Sequence, residues 1–135
     1  MSPTTATYTG HRALTIAGFL TIAIGALHLA ITPFAYRPVF KLTAVWFAGT
    51  GVAIVLIGVV TLLARNAPAG SMERWAAVAA NVAGLVIAAA YSILNEWREP
   101  RGWVEIALFS MGVVGALRGG APVSGTTADD APRRA

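Results

Sequence analysis

The chain has no cysteine, which excludes disulfides, thiolate metal sites, iron–sulfur clusters and cysteine nucleophiles. Charge is scarce as well. Asp, Glu, Lys and Arg make up 12% of the 135 residues, about half their share in a soluble domain. The only histidines, His11 and His28, fall at opposite ends of one apolar segment, so a haem held between two histidines is excluded. No His, Asp and Glu cluster has zinc spacing, no glycine-rich phosphate loop or dinucleotide fingerprint is present, and Ser92 and Ser110 lack a triad context. Neither metal nor cofactor is expected. Ten basic residues against six acidic give a net charge of +4, yet they stand singly or in pairs at segment ends. That is the pattern of bilayer anchoring and excludes a nucleic-acid partner.

What takes the place of charge is apolar sequence, 56% of the chain. The run from Leu42 to Ala64, LTAVWFAGTGVAIVLIGVVTLLA, has no charged residue and is fenced by Lys41 and Arg65. At about 1.5 Å per residue it is long enough to cross a bilayer core of about 30 Å. Similar segments predict further spans at about 12–31, 72–94 and 103–118. Thr32-Pro33 is expected to close the first, because proline disfavours helix in the residue before it. Arg12 ahead of an apolar run raises a signal peptide, but the run is too long and lacks an A-x-A site, which favours a retained helix. Phe34 to Lys41 and Arg65 to Gly70 read as turns, and Ser71 with Glu73 suits a helix start. From Trp103 to Leu117 the fourth segment yields only about 22 Å of helix, a short span. Residues 1–11 read as a polar tail and 119–135 as a disordered one.

The predicted fold is therefore all-α, a polytopic membrane protein built as a four-transmembrane-helix bundle. Arg12, Arg65, Arg74, Arg118, Arg133 and Arg134 lie to one side, and Arg37, Lys41, Arg98 and Arg101 to the other. This slight excess predicts both termini on the cytoplasmic face of a bacterial inner membrane.

Each segment carries a helical stripe of small or polar residues: Gly18, Thr21, Gly25, His28 and Thr32; Thr43, Phe47, Gly51, Ile54, Gly58 and Thr61; Ala77, Asn81, Gly84, Ala88, Tyr91 and Asn95; Glu105, Leu108, Gly112 and Gly115. Small residues let backbones approach and buried polar groups need partners, so the stripes are expected to meet inside the bundle. Asn81, near mid-depth, is expected to hydrogen-bond across helices.

His28, Tyr91, Asn95 and Glu105 belong to one end, where Trp97 also lies, and with Trp46 and Trp103 they form the candidate pocket. His28 and Glu105 are the catalytic candidates, expected to approach each other across a water-accessible recess as acid and base or proton relay. The alternative is that they only pin two helices, and that Tyr91, Trp46 and Trp103 are interfacial belt residues. The alternating charges of Glu96, Arg98, Glu99 and Arg101 read as a solvated, mutually paired loop, in which Pro100 is expected to fix a break.

The runs GALHLA, AVWFAGTGVAIVLIGVVTLLAR and GWVEIALFSMGVVGAL resemble a family of small four-span bacterial membrane proteins of uncharacterised function. The matching positions are His28, Trp46, Phe47, Gly51, Gly102 and Trp103. The resemblance implies the architecture and no catalytic residue. The expected function is binding of a small amphipathic molecule or a membrane partner, the lipid bilayer and a homodimer being the other expected partners. The alternative is a proton-coupled carrier or lipid-modifying enzyme using His28 and Glu105.

Overall fold

The computed structural model describes residues 3–36, 42–98 and 100–119, with side chains from residue 10 onward. Within them lie four helices: α1 (Pro3–Ala35), α2 (Leu42–Leu63), α3 (Met72–Leu94) and α4 (Pro100–Arg118). Three segments, Gly10–Ala35, Leu42–Asn66 and Met72–Leu94, are long and apolar enough to cross a membrane. Helix α4 is not among them, and its 19 residues include Arg101, Glu105 and Arg118.

Two prolines act differently from expectation. Helix α1 continues through Pro33 to Ala35. So close to a helix end the missing N–H forfeits a single backbone bond. Thr32 Oγ1 donates to the His28 carbonyl at 2.7 Å, and the Tyr36 N–H donates to the Thr32 carbonyl at 3.2 Å. Pro100 starts α4 instead of breaking the chain ahead of it, because a first-turn residue has no intrahelical use for its N–H. Helix α4 gains a turn and reaches about 28 Å, against the about 22 Å expected from Trp103. The start of α1 likewise lies at Pro3, inside the segment expected to be a tail. The expected turn after Phe34 lies outside the described residues from residue 37, as does the C-terminal tail from residue 120.

Between α2 and α3 the chain makes a short 3-10 turn, Ala64–Asn66, and passes Gly70 at φ +75°. Ser71 then caps α3, its side chain accepting from the Arg74 N–H at 3.4 Å.

The helices pack in ring order, α1 against α2 and α4, and α3 against α4 and α2. Helices α1 and α2 run antiparallel with glycine facing glycine. A Cβ on Gly25 would lie 2.7 Å from the Val55 nitrogen and 2.8 Å from the Gly51 carbonyl, and one on Gly58 would lie 2.8 Å from the Gly18 carbonyl. One contact further along the same register, His11 Nδ1 meets the Arg65 carbonyl at 3.2 Å. The contacts recur every seven residues, the repeat that keeps one face on its partner in an antiparallel coiled pair.

Helices α3 and α4 mesh differently, glycine against side chain: Gly84 under the Phe109 ring, Gly112 under Asn81, and Gly102 under Ser92. Asn81 Nδ2 donates to Thr61 Oγ1 at 2.7 Å and to the Ala77 carbonyl at 2.8 Å. Thr61 Oγ1 donates in turn to the Ile57 carbonyl at 2.8 Å, so Asn81 ties α3 to α2. Apolar side chains such as Leu27, Leu56, Val86 and Leu94 point outward. An apolar skin of this extent suits hydrocarbon and not water.

Candidate functional site

Four helices bring one side chain or more each to the same end of the bundle. His28 comes from the last third of α1, Phe47 from the second turn of α2, Tyr91 from the end of α3, and Arg101 with Glu105 from the first turns of α4. Arg101 and Glu105 are four apart, so helix geometry places them side by side. Arg101 Nε donates to Glu105 Oε1 at 3.0 Å, the side chains being 34% and 9% exposed. The guanidinium stands over two rings, 5.6 Å from the centre of Phe47 and 5.4 Å from that of Tyr91. Phe47 in turn stacks on the His28 ring at 4.4 Å, with the planes 24° apart, and is tilted against Tyr36 at 5.6 Å.

His28 is 4% exposed. Its Nε2 is buried with no partner. A neutral imidazole carries an N–H on one nitrogen and a lone pair on the other. The site therefore holds an unpartnered ring nitrogen, an aromatic shelf and an ion pair within one layer.

His28 and Glu105 share this layer without meeting as expected. No hydrogen bond joins them, and Phe47 and Arg101 stand in the chain of contacts between them. The gap beside Glu105, lined by Thr21, Ile24, Ile54, Leu108 and Phe109, has no room for a water molecule.

Of the other predicted residues, Tyr91 is half-buried beside Arg101. Asn95 turns back on its own helix, Nδ2 donating to the Tyr91 carbonyl at 2.9 Å, and so ends α3 instead of lining a pocket. Trp46 is 71% exposed and lies outside the site, since α2 presents Phe47 inward and its neighbour must point away. Trp103 is exposed too, tilted on Trp97 at 4.9 Å.

Arg101, expected in a solvated loop, belongs to the site instead, and its spacing of four from Glu105 is the sequence signal for that pair. For Glu96 and Arg98 the solvated reading fits. They pair at 2.6 Å with side chains 70% and 81% exposed. Glu99 lies outside the described residues.

A second buried charge stands where the charge count sees only a segment-end arginine. Arg74, in the first turn of α3, is 3% exposed. Its Nε donates to the Ala67 carbonyl at 3.0 Å and its Nη1 to the Ala116 carbonyl at 2.6 Å. It joins the α2–α3 turn to the C-terminal end of α4, where a cation suits the negative end of the helix dipole. Nothing in a lone arginine at a segment start foretells a partner more than forty residues away.

No known family model, curated protein or solved structure matches the chain. The likeness to small four-span proteins therefore rests on its motif residues alone.

Proposed function

We propose that the chain is a four-span protein of the bacterial cytoplasmic membrane, with both termini cytoplasmic, that binds a small amphipathic molecule at the His28 end. Helix α4 supplies the fourth span. About 28 Å of helix nearly matches the hydrocarbon core, Glu105 is shielded by Arg101, and Arg118 sits at its last turn, where a long side chain reaches headgroups.

The observation that carries the binding reading is the open Nε2 of His28. A buried polar atom without a partner costs about 1–3 kcal/mol, and a hydroxyl of a bound molecule, which can donate or accept, offsets that cost. The outward Trp46, Trp97 and Trp103 at this end suit the interfacial depth of an amphipathic ligand.

The alternative, a proton-coupled carrier or lipid-modifying enzyme, draws on the burial of His28 and Glu105 in one layer. The two separate by experiment. Protein purified in mild detergent is analysed by mass spectrometry for small molecules, with His28→Phe, Phe47→Ala and Glu105→Gln alongside. Binding predicts a molecule retained by the wild type and lost in His28→Phe, with Glu105→Gln keeping it. A proton-linked activity predicts that Glu105→Gln abolishes turnover or uptake in vesicles while the fold is kept. Identical small-molecule content in wild type and His28→Phe would sink the binding reading.

A further inference from the structure

At the His28 end, each described arginine has a carboxylate partner: Arg98 pairs with Glu96 and Arg101 with Glu105. At the opposite end the described arginines are Arg12, Arg65, Arg74 and Arg118, and among the described residues none of them forms an ion pair. The one described carboxylate there is Glu73, which is exposed at the start of α3.

The positive groups are also gathered. Gly10 packs directly on Gly119, so Arg12 and Arg118 flank one contact between α1 and α4. His11 reaches the Arg65 carbonyl at 3.2 Å, which draws the end of α2 into the same arc. Arg74 lies beneath, its guanidinium against Gly119. Arg12 and Arg118 are exposed and Arg65 half-exposed. Exposed Trp75 stands at this end of α3, at the level where indole rings settle between headgroup and chain.

We propose that this end is a binding site for the headgroup of an anionic phospholipid, its phosphate held by Arg12, Arg65 and Arg118 above the buried charge of Arg74. The depth fixes the occupant. The guanidinium groups stand at the ends of apolar helices, so the anion they meet is the one the bilayer carries at its surface, and guanidinium forks suit phosphate oxygens. The site is separate from His28 and does not depend on what binds there.

Trp75 is the only tryptophan at this end and serves as the reporter. The full chain, with Trp46, Trp97 and Trp103 changed to Phe, is placed in phosphatidylcholine vesicles containing brominated phosphatidylglycerol or, in parallel, brominated phosphatidylcholine. Bromine quenches indole fluorescence at short range. The expected result is that phosphatidylglycerol occupies the site beside Trp75 about tenfold above its bulk share, and that added salt reduces this preference. Combining Arg12→Gln, Arg65→Gln and Arg118→Gln brings occupancy down to the bulk share, while Arg98→Gln leaves it unchanged. Inorganic phosphate is expected not to displace the lipid. Equal quenching by the two brominated lipids in the otherwise unaltered protein overturns the proposal even if the triple variant fails to fold. A preference untouched by salt, or displacement by free phosphate, overturns it as well.

Discussion

Adding one methyl group at each of three glycines separates close helix contact from mere smallness. At Gly25 the new carbon would sit 2.7 Å from the Val55 nitrogen and 2.8 Å from the Gly51 carbonyl. These are backbone atoms of α2, so no side-chain rotation relieves the overlap, and the helices must separate by about 0.7 Å to restore ordinary contact. At Gly51, on the other side of the same crossing, the nearest atoms are the His28 Cβ at 3.0 Å and the Gly25 carbonyl and Leu29 Cγ at 3.1 Å, a milder conflict. At Gly49 nothing lies within 4 Å. Alanine is favoured over glycine in a helix by about 1 kcal/mol, and overpacking costs about 1–3 kcal/mol. Gly49→Ala should therefore stabilise by up to about 1 kcal/mol, Gly51→Ala should come out near zero, and Gly25→Ala should destabilise by about 1–2 kcal/mol. The assay is reversible unfolding in mixed micelles followed by circular dichroism, with all three substitutions in one background. If Gly25→Ala proves as stable as Gly49→Ala, helices α1 and α2 do not touch where the structure sets them.

Arg101→Ala, which strands a mostly buried Glu105, should cost about 3 kcal/mol in the same assay, whereas Arg98→Ala, at an exposed pair, should change stability by less than about 0.5 kcal/mol. Glu96 and Trp97 both have positive φ, 52° and 58°, and the Glu96 and Trp97 N–H groups close the end of α3 on the Ile93 and Ser92 carbonyls at 3.0 and 2.8 Å. Glycine adopts this conformation without strain, so Glu96→Gly should raise stability by about 1 kcal/mol, and a loss would show that the Glu96 side chain matters more than its backbone. Arg74→Leu should destabilise by about 2–4 kcal/mol through its two lost charge-assisted bonds. Lysine cannot span both carbonyls, so Arg74→Lys should recover only part, and full recovery would reduce Arg74 to a point charge.

The buried faces were legible because the stripe residues are small or polar at helical spacing. Gly25, His28, Gly51, Gly58, Asn81, Gly84, Glu105 and Gly112 are all buried. The ends of elements were less so. Pro33 and Pro100 read as breaks, but a proline in the first turn forfeits no intrahelical bond and one in the last turn forfeits only one. Composition also cannot tell Trp46 from Phe47 as the inward residue. That choice follows from α2's rotation against α1, which the distant pair Gly25 and Gly51 sets. Arg74 reads as one more segment-end charge because its acceptors are carbonyls that only the folded ring brings near, and carbonyls leave no mark on a sequence.

The seven-residue glycine repeat between α1 and α2 also carries an ambiguity. If α1 slid along α2 by one repeat, Gly25 would face Gly58 and Thr32 would face Gly51, again small against small, so the glycines alone do not select an alignment. Selection falls to residues that occur once: the imidazole of His28 lying flat on Phe47, and His11 at the Arg65 carbonyl. The aromatic pair at the candidate site is in this sense the pin that keeps a sliding joint from slipping, and a ligand that pried Phe47 loose would free the joint.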